Sequence, residues 1–163
     1  MCVYNNCGLK VDKLNNLILK AFLKDNKNKD TIMIGCQEKN FALCLNGCAV
    51  YFGFKPFFPF DFDLLTSGHF KGFKEQKSLF NLLKPENLEN AQKVKYLHEI
   101  KIDKKQVSVF GCDDFEMYVD NALLNYIDVD KLSFRSQGKN APLVCYSESE
   151  VLAVILPINV KRG

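Results

Sequence analysis

Apolar residues recur at helical spacing near the start of the chain. One helical face collects Val11, Leu14, Leu17, Ile18, Ala21 and Phe22. Asp12 can cap the first turn, because its carboxylate can accept a hydrogen bond from a free backbone N–H group. The pattern predicts an amphipathic helix from Val11 to Lys24.

Three short apolar runs follow this helix and are typical of paired strands. They are Thr31 to Cys36, Phe41 to Leu45 and Cys48 to Phe54. Asn46-Gly47 separates the last two runs, and this dipeptide favours a type I′ hairpin because both central residues need positive φ. We therefore expect antiparallel pairing after the helix.

The same order of elements returns near the other end of the chain. Apolar spacing predicts a helix from Tyr118 to Ile127, with Asp120 as its cap. Strands are predicted at Lys131 to Ser136, Pro142 to Tyr146 and Val151 to Leu156. The first turns of the two units carry related residues, Gln37 to Asn40 and Gln137 to Asn140. We predict an α+β fold in which two helix-then-strands units, at about 11–54 and 118–156, form antiparallel sheets with two helices on one face.

The middle of the chain is less regular. Pro56 and Pro59 interrupt the phenylalanine-rich run from Phe52 to Phe62, which predicts a strand end followed by an irregular loop. Pro85 is placed to begin a helix through about Leu97. Alternation predicts a hairpin of Tyr96 to Ile102 with Gln106 to Phe110. No linker divides these parts, so residues 1–163 are predicted to form a single domain.

Composition narrows the classes of function. Apolar residues make up 47% of the 163 residues and charged residues 25%, which is a globular composition. The formal net charge of +3 is too small to predict nucleic-acid or membrane binding by itself. The seven cysteines are an odd number, and no apolar run has the length of a membrane span, so we expect a protein of the reducing cytoplasm without membrane contact.

Motifs that carry catalysis are sparse. The sequence has no phosphate-binding glycine loop and no nucleophile elbow, and its histidines are His69 and His98. We therefore predict no catalytic residues, no cofactor and no metal site. A small metal-dependent enzyme remains the alternative, and it would use Asp61, Asp63, Asp113 and Asp114. A purely structural interaction protein is a further alternative.

Two groups of side chains are candidates for contact with other molecules. Lysines that could track a phosphate backbone are Lys13, Lys20, Lys24 and Lys27. Aromatic residues that could hold a partner are Phe54, Phe57, Phe58 and Phe60.

The stretch from Tyr118 to Asn159 resembles the end of a DNA sliding-clamp domain of the bacterial polymerase III beta subunit type. The order of its predicted elements is a helix, a strand, a segment ending in Pro142-Leu143-Val144, a polar turn and a final strand ending in Ile155-Leu156-Pro157. In that family, rings of such domains encircle duplex DNA with the helices lining the hole, and an outer pocket captures polymerase peptides. The resemblance implies that Lys13, Lys20 and Lys24 face DNA. It also implies replication or other protein partners and a homo-oligomer. A single clamp-like domain of this kind is expected of a phage or mobile element.

Overall fold

The computed structural model describes residues 8–23, 32–70 and 72–159. Helix α1 covers Val11–Leu23, and the four-residue helices α2 and α3 cover Phe62–Leu65 and Pro85–Leu88. The strands are β1 Ile32–Gln37, β2 Asn40–Leu45, β3 Ala49–Phe54, β4 Phe73–Glu75, β5 Gln92–Ile102, β6 Lys105–Gly111, β7 Glu116–Asp120, β8 Ser133–Ser136, β9 Leu143–Ser147 and β10 Glu150–Ile155. Short 3₁₀ helices cover Lys55–Phe57, Lys77–Leu83, Asn121–Tyr126 and Val129–Lys131. The predicted α+β class is confirmed.

The strands join in one sheet of ten in the described part of the chain, in the order β4-β1-β2-β3-β10-β9-β8-β5-β6-β7. The fourth and fifth strands in this order, β3 and β10, form an antiparallel pair in which Tyr51 lies opposite Ala153 and Val50 opposite Val154. From this pair, β2 and β1 follow on one side and β9 and β8 on the other. The two units therefore meet at their last strands, and their strand orders mirror each other.

The main core lies on the sheet face that carries α1. Leu14 and Ile18 of α1 are completely buried there, together with Leu123 and Leu124 of the 3₁₀ helix Asn121–Tyr126. Burying a leucine or isoleucine side chain contributes about 1.5–3 kcal/mol. This packing stabilises the short helices more than their intrinsic helix propensity does. The opposite sheet face, called the outer face below, has a smaller core under the 3₁₀ helix Lys77–Leu83 and α3.

Turn residues account for the hairpins as predicted. Asn46 and Gly47 both have positive φ, 53° and 68°, and they join β2 to β3. Asp103 and Lys104 also have positive φ, 49° and 69°, and they join β5 to β6. The described end of α1, the strands of both units and the irregular loop after β3 agree with the sequence-based boundaries within about three residues.

Two predicted helices are corrected. Tyr118 and Val119 belong to strand β7, and only Asn121–Tyr126 is helical, in the tighter 3₁₀ form. Pairing with β6 places Val119 opposite Ser108, and this tertiary contact outweighs the helical spacing of the segment. The helix predicted from Pro85 to Leu97 stops at Leu88, because Asn90 takes positive φ (60°) and β5 begins at Gln92.

The predicted sheets are also corrected in their pairing. They are continuous in one sheet, and one of its neighbouring pairs, β1 with β4, is parallel. The short β4 can lie parallel to β1 because the long connection after β3, with α2, returns the chain to the far side of β1.

Candidate functional site

The contact between α1 and the 3₁₀ helix Asn121–Tyr126, called the second helix below, places the predicted helices side by side. The Lys10 backbone N–H donates to the Tyr126 carbonyl at 2.7 Å. The Lys13 ammonium donates to Asn125 Oδ1 at 2.6 Å, which links the two helices on their exposed side. Leu9 forms a bridge with Ile127 just outside both helices. Backbone and side-chain hydrogen bonds therefore fix the relative position of the pair.

Tyr51 of β3 links the second helix to the sheet. Its side chain is completely buried in β3, and its hydroxyl donates a hydrogen bond to the Leu123 carbonyl. The Tyr51 ring also meets the Tyr126 ring edge to face, with 5.4 Å between the centroids. Burial raises the pKa of Tyr51, so the phenol keeps its proton and remains a donor well into the alkaline range.

Two of the four lysines predicted to contact DNA lie on the described part of α1. Lys13 and Lys20 are both exposed, and Lys20 makes no ion pair with any described residue. Lys24 and Lys27 lie outside the described residues. Because Lys13 is hydrogen-bonded to the second helix, its charge lies over the seam between the helices.

The four candidate phenylalanines occupy different environments. Phe57 is 43% exposed, and its ring lies 5.4 Å from that of half-buried Phe54. Phe60 is half-buried against the main core. Phe58 is only 6% exposed, because it packs edge to face on Phe41 at 4.8 Å. Phe58 is therefore a core residue and does not lie on a binding surface.

Leu64 adds apolar surface beside this segment that sequence reasoning missed. It is 52% exposed on α2, whose first turn is capped by Asp61, with the Leu64 N–H donating to Asp61 Oδ1 at 3.1 Å. Lys55 and Asp63 approach at 3.7 Å, which joins α2 to the 3₁₀ helix Lys55–Phe57. The alternation of acidic and apolar residues from Asp61 to Leu64 gives no signal for this exposure, because it puts Leu64 in phase with Phe62, which is buried.

The carboxylates of the enzyme alternative are not gathered. Asp61 caps α2, and Asp63 pairs with Lys55. Among the residues that the structure describes, no group of three or more His, Cys, Asp or Glu side chains could hold a metal ion. Asp113 and Asp114 lie on the turn between β6 and β7 and do not complete such a group.

A basic cluster on the outer face was also missed by sequence reasoning. Lys93 and Arg135 are directly opposite in the pairing of β5 with β8, and Lys95 follows two residues along β5. All three side chains are exposed. The local signal was the alternation of Lys93 and Lys95, but the sequence does not show that Arg135 lies beside them. We call these three residues the outer patch.

None of the helices in the described ranges has the length and apolar character needed to cross a bilayer. Comparison with protein-family models, curated proteins and solved structures gives no match for this chain.

Proposed function

We propose that this chain is a non-enzymatic, DNA-clamp-like module that acts in DNA-associated processivity or as a protein-binding accessory factor. The observation that carries the proposal is the mirrored strand order about β3 and β10, with α1 and the second helix in contact on one face. A ring of several copies would present that helix face to duplex DNA.

Electrostatics supplies the DNA part of the mechanism. Exposed Lys13 and Lys20 on α1 would neutralise phosphates and release counterions. The second helix has no Lys or Arg, so the charge that holds DNA would come from α1. Lysine binds phosphate as a flexible point charge, which suits contact without base readout.

Salt-dependent binding of duplex DNA tests this part. The α1 variant combines Lys13→Glu and Lys20→Glu, and the charge control variant combines Lys39→Glu and Lys104→Glu, which reverse two exposed charges in turns. Between about 50 and about 200 mM salt, log K falls linearly with log salt, and each phosphate contact contributes roughly 0.9 to the magnitude of the slope. The α1 variant removes two such contacts, so its slope should be smaller in magnitude by about 1.8 than that of the wild type. The charge control variant should keep the wild-type slope. If wild-type protein binds duplex without salt dependence, the DNA part is wrong.

Topology supplies a second test. A ring that encircles DNA should stay on a closed circle and slide off a linear duplex of the same sequence. Equal loss from circular and linear DNA in a high-salt wash would exclude encirclement. Light scattering should then show a multimer, because one copy provides a single mirrored pair of units. A monomer at every protein concentration would exclude the ring.

The apolar surface of Phe57 and Leu64 is the proposed site for a protein partner or a second copy. Replacing both residues by serine should convert a multimer to a smaller species without loss of stability, since both side chains are already largely exposed. Leu156→Ser is the matched control, because Leu156 is also an exposed leucine (45%) but lies after β10. An unchanged mass for the double variant would remove this surface from self-association.

A further inference from the structure

The outer patch lies on the face of the sheet opposite α1. In the register of the central strands, Arg135 is opposite Val144, Val144 is opposite Val154, and Val154 is opposite Val50. Residues opposite each other point to the same face, and these three valines belong to the smaller core, away from α1. Lys93 continues this row beyond Arg135, so both cations lie on the outer face.

Electrostatic repulsion among the three cations of the outer patch destabilises the sheet when no anionic ligand is bound. Like charges directly opposite on neighbouring strands destabilise a sheet, and Lys93 and Arg135 are such a pair. Lys95 points to the same face as Lys93, about 6.6 Å along the strand, while neighbouring strands are about 4.8 Å apart. The ion pairs among the described residues are Lys55–Asp63, Lys77–Glu75, Lys105–Asp120 and Lys131–Asp128. The outer patch therefore has three cations without a carboxylate partner in the described chain.

An aromatic ring holds the arginine in place. The guanidinium carbon of Arg135 lies 5.9 Å from the centre of the Tyr146 ring. Tyr146 is opposite Ser133, two residues before Arg135, and so shares its face. A guanidinium that rests on a ring keeps its N–H donors free at its edges and loses less entropy when it binds an anion. Arg135 is the one arginine among the described residues.

Apolar surface flanks the cations. The register of β5 slips between Tyr96 and His98, which leaves Leu97 as the extra residue. A Cβ built on Gly111, the residue opposite Lys95, would lie 3.0 Å from the Leu97 side chain and 3.2 Å from that of Glu116. Glu116 is opposite Gly111 on β7, so one acidic side chain lies in the same row as Lys95, and the cations of the outer patch exceed it by two. Leu97 is 45% exposed and therefore provides a surface for apolar contact beside Lys95.

We infer that the outer patch binds the phosphodiester backbone of a nucleic-acid strand. Repeated cations at strand spacing match a ligand with repeated anionic groups, and the arginine fork matches phosphate oxygens. Exposed Leu97 provides apolar surface for a base or sugar next to the phosphates, while the Tyr146 ring holds the guanidinium. This inference does not rest on the proposed clamp function, because α1 and the outer patch lie on opposite faces of the sheet.

Oligonucleotide binding by fluorescence anisotropy tests the inference. The outer variant combines Lys93→Glu and Arg135→Glu, and it is compared with the α1 variant and the charge control variant on a thymidine oligonucleotide and on a duplex of the same length. We expect the outer variant to bind at least about tenfold more weakly and to lose about 1.4 from the salt slope on the single strand. The charge control variant should bind as the wild type does.

Single substitutions separate binding from folding. Lys93→Glu places a carboxylate opposite Arg135, so it should weaken binding while the midpoint of thermal unfolding stays equal or rises. Lys93→Arg should retain wild-type affinity. Arg135→Lys keeps the charge but loses the fork and the ring contact, so it should have intermediate affinity. Weaker binding by Lys93→Glu with a lowered midpoint would assign the residue to folding and overturn the inference.

The outcomes distinguish this inference from the clamp proposal. Loss of duplex binding in the α1 variant with unchanged binding of both probes in the outer variant would support the clamp proposal and overturn the outer patch. Loss in the outer variant alone would support the outer patch, and the two probes would show whether single strand or duplex is preferred. Competition by polyglutamate as effective as by the oligonucleotide would assign the patch to acidic protein segments and overturn the inference. An equal loss in the charge control variant would also overturn it.

Discussion

Tyr51→Phe tests the hydrogen bond that holds the second helix on the sheet. The substitution keeps the buried ring and removes only the hydroxyl that donates to the Leu123 carbonyl. Because Tyr51 is 0% exposed and Leu123 is 8% exposed, water cannot readily replace the lost donor. The Leu123 carbonyl lies inside a 3₁₀ helix and can still accept from the backbone, so the loss is that of one hydrogen bond, and we expect the free energy of unfolding to fall by about 0.5–1.5 kcal/mol. In a chain of 163 residues this corresponds to a decrease of roughly 1–6 °C in the unfolding midpoint.

Urea and thermal unfolding, followed by circular dichroism, measure the change. Tyr126→Phe is the matched control, because the Tyr126 ring packs edge to face with Tyr51 but its hydroxyl has no hydrogen-bond partner among the described residues. The control should change stability by less than about 0.5 kcal/mol. If Tyr51→Phe is as stable as the control, the Tyr51 hydrogen bond does not hold the second helix, and the packing of Leu123 and Leu124 together with the hydrogen bonds to Lys10 and Lys13 must do so.

Three further predictions concern the backbone, the core and pH. Gly47→Ala forces an L side chain to φ 68° and should cost about 1–2 kcal/mol in urea unfolding, whereas Gly138→Ala, where an added Cβ meets nothing within 4 Å, should be neutral or stabilising. Gly53→Ala would place a Cβ 2.5 Å from the Phe41 ring and should cost about 1–3 kcal/mol, so wild-type stability would refute this packing. Burial raises the pKa of the Cys145 thiol, so above about pH 8.5 the folded state keeps a proton that the unfolded state releases. The free energy of unfolding should therefore fall as pH rises above about 8.5. Cys145→Ala should reduce this fall by up to about 1.4 kcal/mol per pH unit.

Local chemistry was sufficient to predict α1 and most strands. The buried positions of α1, Leu14 and Ile18, recur at helical spacing, and that spacing is visible in the sequence alone. Asn46-Gly47 could be read as a hairpin turn because positive φ at two successive residues is a local requirement. The loop after β3 was predicted for a similar reason, since Pro56 cannot continue a strand ladder.

The second helix shows where local chemistry was insufficient. Its apolar positions fit a helix from Tyr118, but a short apolar run is equally compatible with a strand. The availability of β6 as a neighbour placed Tyr118 and Val119 in β7. Asp120 was nevertheless predicted correctly as a cap, and its side chain accepts from the Ala122 N–H at 3.0 Å.

The candidate surfaces depended still more on tertiary structure. Neighbouring phenylalanines have similar local sequence, yet Phe57 is exposed and Phe58 is buried against Phe41 of a distant strand. Lys93 and Arg135 are far apart in the chain and become neighbours only in the register of β5 with β8. The sequence by itself determined the turns, α1 and the alternation of the strands, because these follow from backbone preferences and residue period. Only the tertiary structure decided which strands became neighbours and which side chains met, because pairing register depends on the burial of whole faces.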